Sequence, residues 1–94
     1  MMLISAIKVT LYLPWAHSLK DKRMVVQSIL AKLRHHFHLS AAEVARQDLH
    51  QTAVIATAAI VPDQKTADQL SERIIHFIEE NCEAQITDIC TEIR

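Results

Sequence analysis

The 94-residue chain contains no glycine. Glycine is the residue that lets a backbone turn sharply or approach a phosphate closely. Its absence therefore excludes a glycine-rich phosphate loop, a dinucleotide-binding fingerprint and a nucleophile elbow. Most classes of nucleotide-using enzyme are excluded with these motifs.

Cysteine and aromatic residues are also scarce. Cys82 and Cys90 lack CxxC spacing, which predicts free thiols in a reducing compartment rather than a disulfide. Only 4% of residues are aromatic, and the apolar segment 52–61 contains none. A sheet that stacks RNA bases on its central strands is therefore not expected, and Tyr12 and Trp15 are the only plausible stacking groups.

No apolar run is long enough to cross a membrane. The segment from Met1 to Leu13 carries Lys8 at its centre and ends at Pro14, well short of the about 20 residues a span needs. It also lacks the basic leader and cleavage site of a signal peptide. We expect a cytoplasmic protein without membrane association. No linker or repeat divides the chain, so residues 1–94 are predicted to form one domain.

Charge is distributed unevenly along the chain, although the net charge is only −1. Residues 1–50 hold seven basic and three acidic residues, a net charge of +4, and residues 51–94 hold three basic and eight acidic residues, a net charge of −5. This asymmetry indicates a basic and an acidic face, and hence an anionic partner or self-association between unlike faces.

Hydrophobic periodicity predicts six elements. Residues 3–13 alternate as a half-buried strand. Ser18 is a plausible N-cap for a helix over 19–36, with Asp21 placed as in a capping box. A weak strand follows over 39–46 and a strong, central strand over 52–61. Asp63 or Thr66 can cap a second helix that ends near Asn81, and a last strand over 84–93 alternates poorly, which favours a bulge or an exposed edge.

This order, βαββαβ, predicts an α+β ferredoxin-like fold in which a four-stranded antiparallel sheet carries both helices on one face. The other face of the sheet would then be uncovered. Because the strong strand is apolar on both faces, we expect a homodimer through the uncovered face or its edge, against the alternative of a monomer with an apolar patch.

The segment 17–23 concentrates cations at the start of the first helix. Cations oppose the helix dipole there, so their presence suggests a use. His17, Lys20, Lys22 and Arg23, with the free N–H groups of the first turn, are candidates for a phosphate or carboxylate site. The alternative is a solvated helix start that Asp21 partly neutralises.

Other constellations give weaker hypotheses. Five histidines in residues 1–50 invite a metal site, but the predicted helix end and loops scatter them, and we expect no metal or cofactor. Asp48 and His50 would form an acid-base pair without a neighbouring nucleophile, and neither cysteine has an evident basic activator. We expect a protein that is not an enzyme.

Several segments together resemble the YlxP-like family of small bacterial proteins: His17 to Arg23, Ala42-Glu43-Val44, Asp48 to Ile55, and Phe77 to Asn81. The resemblance covers essentially the whole chain and implies a ferredoxin-like fold without an assigned activity. The family's genes often lie near those for translation initiation and ribosome maturation, which implies association with RNA or the ribosome.

The chain departs from this family at a few positions. His50 replaces a usual tryptophan, Thr52 a common arginine, and Ala56 and Ser5 frequent glycines. The basic helix start is retained. The leading hypothesis is therefore a protein that contacts RNA or a ribosomal subunit through His17, Lys20, Lys22, Arg23 and Arg46. The alternative is a homo-oligomeric interaction or small-ligand sensing domain that does not bind nucleic acid.

Overall fold

The computed structural model describes all 94 residues and contains four strands and two helices. The elements are β1 (Leu3–Tyr12), α1 (Leu19–His36), β2 (Ser40–Ala45), β3 (Thr52–Val61), α2 (Gln64–Asn81) and β4 (Gln85–Ile93). The strands form one antiparallel sheet in the order β2-β3-β1-β4. The predicted ferredoxin-like fold is confirmed, and β3 lies in the interior of the sheet as expected. None of the helices is long and apolar enough to cross a membrane.

The centre of the sheet is regular, and its two edges are not. β1 and β3 pair over their full length, from Leu3 opposite Val61 to Tyr12 opposite Thr52. The pairing of β4 with β1 shifts at Thr10 and Leu11, and that of β2 with β3 shifts between Glu43 and Ala45. A bulge or an exposed edge was predicted for the last strand, and β4 has both.

Both helices cover the same face of the sheet. Alternate residues of β1, among them Ile7, Val9 and Leu11, form one core cluster with the buried stripes of the helices. In α1 that stripe contains the predicted Val26, Ile29, Leu30 and Leu33, and in α2 it contains the predicted Ile74 and Ile78. Alternation in the strands and three- to four-residue spacing in the helices thus bring their apolar sides together.

The opposite side of the sheet, here called the open face, has no helix over it. The register places these residues on it: Ile4, Ala6, Lys8, Thr10 and Tyr12 of β1; Val54, Ala56, Ala58 and Ile60 of β3; and Asp88, Cys90 and Glu92 of β4. The side chain of Ile60 is 73% exposed and that of its cross-strand partner Ile4 is 41% exposed. Several aliphatic side chains of the open face are therefore in contact with water.

Both helices begin at polar caps that the sequence predicts. The Ser18 hydroxyl accepts a hydrogen bond from the N–H of Asp21 at 3.1 Å, and the Asp63 carboxylate accepts one from the N–H of Thr66 at 2.7 Å. The bond from the Thr66 N–H stabilises the charged form of Asp63 and lowers the pKa of its carboxyl below the ordinary 3.8. Asp63, rather than Thr66, is therefore the cap of α2.

Candidate nucleic-acid interface

Three segments meet at the end of the molecule where β1 stops: the β1–α1 connection, the first turns of α1, and the β2–β3 connection. The N–H of Leu13 donates to the carbonyl oxygen of Gln51 at 2.8 Å, and the Gln51 side-chain amide donates to the carbonyl oxygen of Pro14 at 3.1 Å. Residues far apart in sequence are thereby held side by side. We call the exposed basic residues of these three segments, His17, Lys20, Arg23 and Arg46, the basic end.

Two hydrogen bonds between Ser18, Asp21 and His17 cap the start of α1 and offset the unfavourable placement of cations there. Besides the bond from the Asp21 N–H to Ser18, the Asp21 carboxylate accepts a hydrogen bond from the N–H of His17 at 3.0 Å. A capping box usually closes on the cap residue itself, whereas here it closes one residue earlier. The negative charge of Asp21 in the first turn also interacts favourably with the helix dipole, which Lys20 and Arg23 oppose.

Lys22 does not belong to the surface. Its side chain is fully buried, and its ammonium group donates to the carbonyl oxygens of Arg46 at 2.7 Å and Thr52 at 3.2 Å. The ammonium nitrogen also lies 3.0 Å from Glu43 Oε2. The prediction that Lys22 contacts an external phosphate is therefore wrong, because its ammonium group is buried and its three partners all lie inside the protein.

The contact between Lys22 and Glu43 is an ion pair rather than a well-formed hydrogen bond. The two atoms are close enough for a hydrogen bond, but the angles are poor, and Glu43 Oε2 has no hydrogen-bond partner by geometry. We attribute the contact to charge attraction, which depends much less on angle than a hydrogen bond does. The pair joins α1 to β2 and adds to the two bonds that fix the β2–β3 connection.

Arg46 begins that connection in a left-handed conformation, with φ of 55°. Such a backbone costs a residue with a Cβ atom roughly 1 kcal/mol, and glycine usually takes the position. In this chain without glycine, the carbonyl oxygen of Arg46 accepts from both Lys22 Nζ and the N–H of Leu49. These bonds hold the strained turn and tie the backbone of Arg46 to the Lys22 side chain of α1.

The remaining cations of the basic end are available to a ligand. Lys20, Arg23 and Arg46 are exposed, and no carboxylate lies within 4 Å of any of them. His17 is exposed beside them in the β1–α1 connection. Three unpaired positive charges on one end of the molecule can bind phosphate or carboxylate groups, which is the chemistry that the sequence predicts for this segment.

Two aromatic side chains lie at the same end of the sheet. Trp15, in the turn after β1, is 38% exposed, and Tyr12, the last residue of β1, is 39% exposed on the open face. His50 and Leu49 are exposed in the β2–β3 connection. An aromatic ring on the surface beside cations offers a nucleobase a face to stack on.

The other sequence hypotheses find little support in the geometry. No three side chains of His, Cys, Asp or Glu are grouped as metal ligands. Asp48 and His50 are both exposed and do not contact each other through a hydrogen bond. Both cysteines are free, and burial raises the pKa of the Cys82 thiol, which makes it a poorer nucleophile at neutral pH.

Sequence reasoning missed a second cluster, at the end of α1 distant from the basic end. The rings of Phe37 and Phe77 meet edge to face with centroids 5.4 Å apart, and His36 lies 4.7 Å from each. Arg73 lies over the Phe37 ring, and a shallow groove of about 460 Å³ runs past them. Helical spacing placed both Phe37, four residues after Leu33, and Phe77 on the core side of their helices, but it gave no sign that the two rings meet each other or His36.

Comparison with known proteins gives a family without a known activity. Residues 4–91 match the family described as "Protein of unknown function (DUF503)". The "Uncharacterized protein YlxP" of Bacillus subtilis (strain 168) is 31% identical over 77 residues, which cover 82% of this chain and 84% of that protein. The solved structure "De novo designed protein Foldit4" aligns with a TM-score of 0.54 at 15% identity, covering 98% of this chain and 97% of the other. That likeness concerns the fold alone. The chain belongs to the DUF503 family of proteins of unknown function, with YlxP among its relatives.

Proposed function

We propose that this protein binds RNA, as a free RNA or within a ribosomal subunit, through the basic end. The observation that carries the proposal is the attachment of the β2–β3 connection to α1 by Lys22. This attachment ties the backbone of Arg46 to α1, whose first turns carry Lys20 and Arg23 more than twenty residues earlier in the sequence, and so supports a shared site. The three charges then act on one ligand rather than separately.

Phosphate is the group that these residues fit best. Arginine and lysine bind phosphate oxygens through charge-assisted hydrogen bonds, and such contacts fix the orientation of a nucleic acid without reading its sequence. With three phosphates contacted, the slope of log K against log salt concentration is about −2 for single strands and about −3 for a duplex. Binding is therefore expected to weaken moderately as salt increases.

Lys22 acts in this proposal as a positioning residue. It offers no charge to the ligand, because its ammonium group is satisfied inside the protein. Its role is to hold the carbonyl oxygens at both ends of the β2–β3 connection, and so to fix where Arg46 begins.

We also propose that the protein acts by binding rather than by catalysis, in the cytoplasm, where ribosomes are found and thiols stay reduced. The free Cys82 and Cys90 suit a reducing compartment. The absence of contact between Asp48 and His50 gives no support to the acid-base pair considered from sequence.

The test compares charge reversal at the basic end with the same charge change elsewhere. We expect the wild-type protein to co-sediment with ribosomal subunits or to shift a structured ribosomal RNA fragment at low salt. The double variant Lys20→Glu and Arg23→Glu should bind at least about tenfold more weakly, because two attractive charges become repulsive. The matched control is Lys32→Glu with Lys65→Glu, which changes net charge equally at exposed sites outside the basic end.

The proposal predicts that the control variant retains binding and that only the first variant flattens the salt dependence. Binding that is absent from the wild-type protein at low salt would refute it. Equal losses in both variants would show attraction to net charge alone, which also contradicts a defined site.

A second candidate is a homodimeric interaction or small-ligand sensing domain, which the uncovered open face favours. The protein would then be a homodimer, and an acidic metabolite rather than RNA would bind it. Sedimentation velocity combined with a thermal-shift screen of metabolites separates the two candidates. A dimer stabilised by a metabolite and indifferent to RNA would favour the second one.

A further inference from the structure

The chain has two phenylalanines, one tyrosine and one tryptophan, and they fall into two groups. Phe37 and Phe77 pack against each other at the end of α1 distant from the basic end, where Phe37 is buried. Tyr12 and Trp15 instead lie at the end of the sheet where the basic end is found, 39% and 38% exposed. Trp15, which precedes α1 directly, therefore keeps a large part of its ring available to a ligand.

The backbone of Trp15 is fixed in a tight turn from Leu13 to Ala16. The N–H of Ala16 donates to the carbonyl oxygen of Leu13 at 3.1 Å, and both residues are fully buried. Pro14 restricts the backbone between them, and its carbonyl oxygen accepts a hydrogen bond from the Gln51 side-chain amide at 3.1 Å. A ligand that stacks on Trp15 would therefore order little more than the two side-chain torsions of the indole.

The cations of the first turns of α1 follow this ring closely along the chain. His17 is two residues after Trp15 and Lys20 is five residues after it, and both are exposed. Since consecutive Cα atoms are about 3.8 Å apart, the Cα atoms of Trp15 and Lys20 are at most about 19 Å apart. A few nucleotides of single strand span such a distance. One strand of RNA can therefore place a phosphate against Lys20 and a base against Trp15 at the same time.

An exposed ring of this kind selects one structural class of RNA. Inside a duplex both faces of each base are covered by the neighbouring base pairs, and a free base face is found in loops, bulges and single strands. Phosphate contacts alone give the opposite preference, because a duplex carries more charge per unit length and releases more counterions than a single strand. Stacking on Trp15 and attraction to Lys20 and Arg23 thus predict different orders of affinity for the same RNA sequence.

We infer that the RNA bound at the basic end is unpaired there, and that Trp15 stacks on one of its bases. The inference rests on the RNA-binding function proposed above and specifies the class of RNA. Lys20 and Arg23 position the strand through its phosphates, whereas Trp15 distinguishes unpaired from paired RNA. Because every base has an aromatic face, stacking requires no particular base, and the selectivity is for RNA structure rather than for sequence.

The experiment compares a single-stranded RNA of about 12 nucleotides with the duplex that it forms with its complement, both at low salt. Trp15 is the only tryptophan of the chain, so its fluorescence reports stacking in the unaltered protein. We expect the single strand to bind at least about fivefold more tightly than the duplex and to quench the fluorescence of Trp15. The duplex should leave this fluorescence nearly unchanged.

Two substitutions separate the aromatic face of Trp15 from its apolar bulk. Trp15→Leu keeps an apolar side chain in the turn but removes the ring, so it should weaken single-strand binding at least about fivefold and leave duplex binding unchanged. Trp15→Phe keeps an aromatic face and should retain most of the preference for the single strand. Circular dichroism checks that both variants are folded, and the fluorescence measurement on the wild-type protein does not depend on either variant.

The possible outcomes distinguish the stacking role of Trp15 from the proposed function. Equal binding of both RNAs, lost in the double variant Lys20→Glu and Arg23→Glu but without a change in Trp15 fluorescence, refutes the stacking role and leaves the function standing. Equal single-strand affinity of Trp15→Leu and the wild-type protein also refutes the stacking role alone. A wild-type protein that binds neither RNA at low salt refutes the proposed function, and the inference with it.

Discussion

The clearest test of the structural reasoning is to remove the Lys22 ammonium group. Lys22→Met keeps an unbranched side chain of similar length that packs well in a core. It deletes the hydrogen bonds to the carbonyl oxygens of Arg46 and Thr52 and the ion pair with Glu43. The lysine is fully buried, so no water molecule at the surface replaces these contacts directly.

The size of the effect follows from the three contacts. A hydrogen bond from a charged donor contributes about 1.5 to 3 kcal/mol, and breaking a buried ion pair from one side costs about 3 to 5 kcal/mol. Two effects make the net loss smaller than the sum of these contributions. The Glu43 side chain is 16% exposed and can be hydrated, and the methionine variant no longer has a buried charge on residue 22 that must be removed from water. We expect a net loss of about 2 to 4 kcal/mol of unfolding free energy.

Urea unfolding followed by circular dichroism measures this loss. With an m value of about 1 kcal/mol/M for a domain of this size, the midpoint should fall by at least about 2 M. Lys32→Met is the matched control, because Lys32 is exposed on the same helix, and it should change stability by less than about 0.5 kcal/mol. If Lys22→Met unfolds no more easily than Lys32→Met, Lys22 does not hold the β2–β3 connection in the way described here.

Two further predictions concern titration and thiol reactivity. The hydrogen bond from the Thr66 N–H lowers the pKa of Asp63 in the folded protein. The charged carboxylate therefore stabilises the fold above pH 3.8, and this stabilisation is lost as the pH falls through the pKa of Asp63 in the folded protein. The stability difference between wild type and Asp63→Asn, measured by urea unfolding, should therefore narrow below about pH 3.8, and a constant difference from pH 2 to 7 would contradict it. Burial raises the pKa of the Cys82 thiol, so a thiol reagent at pH 8 should modify Cys82 more slowly than the exposed Cys90. Variants that keep only one cysteine should show which thiol gives the fast and which the slow phase of the reaction. Equal rates for the two thiols would contradict the burial of Cys82.

The fold was largely predictable because its signals are local. The alternation of β1, the continuous apolar run of β3, the stripes of α1 and α2, and the caps Ser18 and Asp63 can each be recognised within a short stretch of sequence. The bounds of the last strand were the weakest prediction, because its residues alternate poorly. In the structure β4 pairs with β1 across a register shift at Thr10 and Leu11, and no short window of the sequence records where that shift falls.

The candidate site was predictable only in part. Lys20 and Arg23 were identified by their charge and their place at a helix start, and the same reasoning wrongly assigned Lys22 to the surface. Its spacing to Val26, Ile29 and Leu33 is that of the core stripe and could have indicated burial. The partners that make burial tolerable, Glu43 and two carbonyl oxygens of the β2–β3 connection, lie more than twenty residues away and leave no local signal.

The two carbonyl oxygens that Lys22 contacts belong to Arg46 and Thr52, which stand on either side of the β2–β3 connection. The Lys22 side chain thus holds both ends of this loop, and residues 47–50 between those ends make no hydrogen bond to it. The loop can therefore change in sequence, as at His50, or accept an inserted residue, while its ends stay where they are. The β2–β3 connection can therefore acquire a different binding preference without a change in the helix and strands that hold its ends.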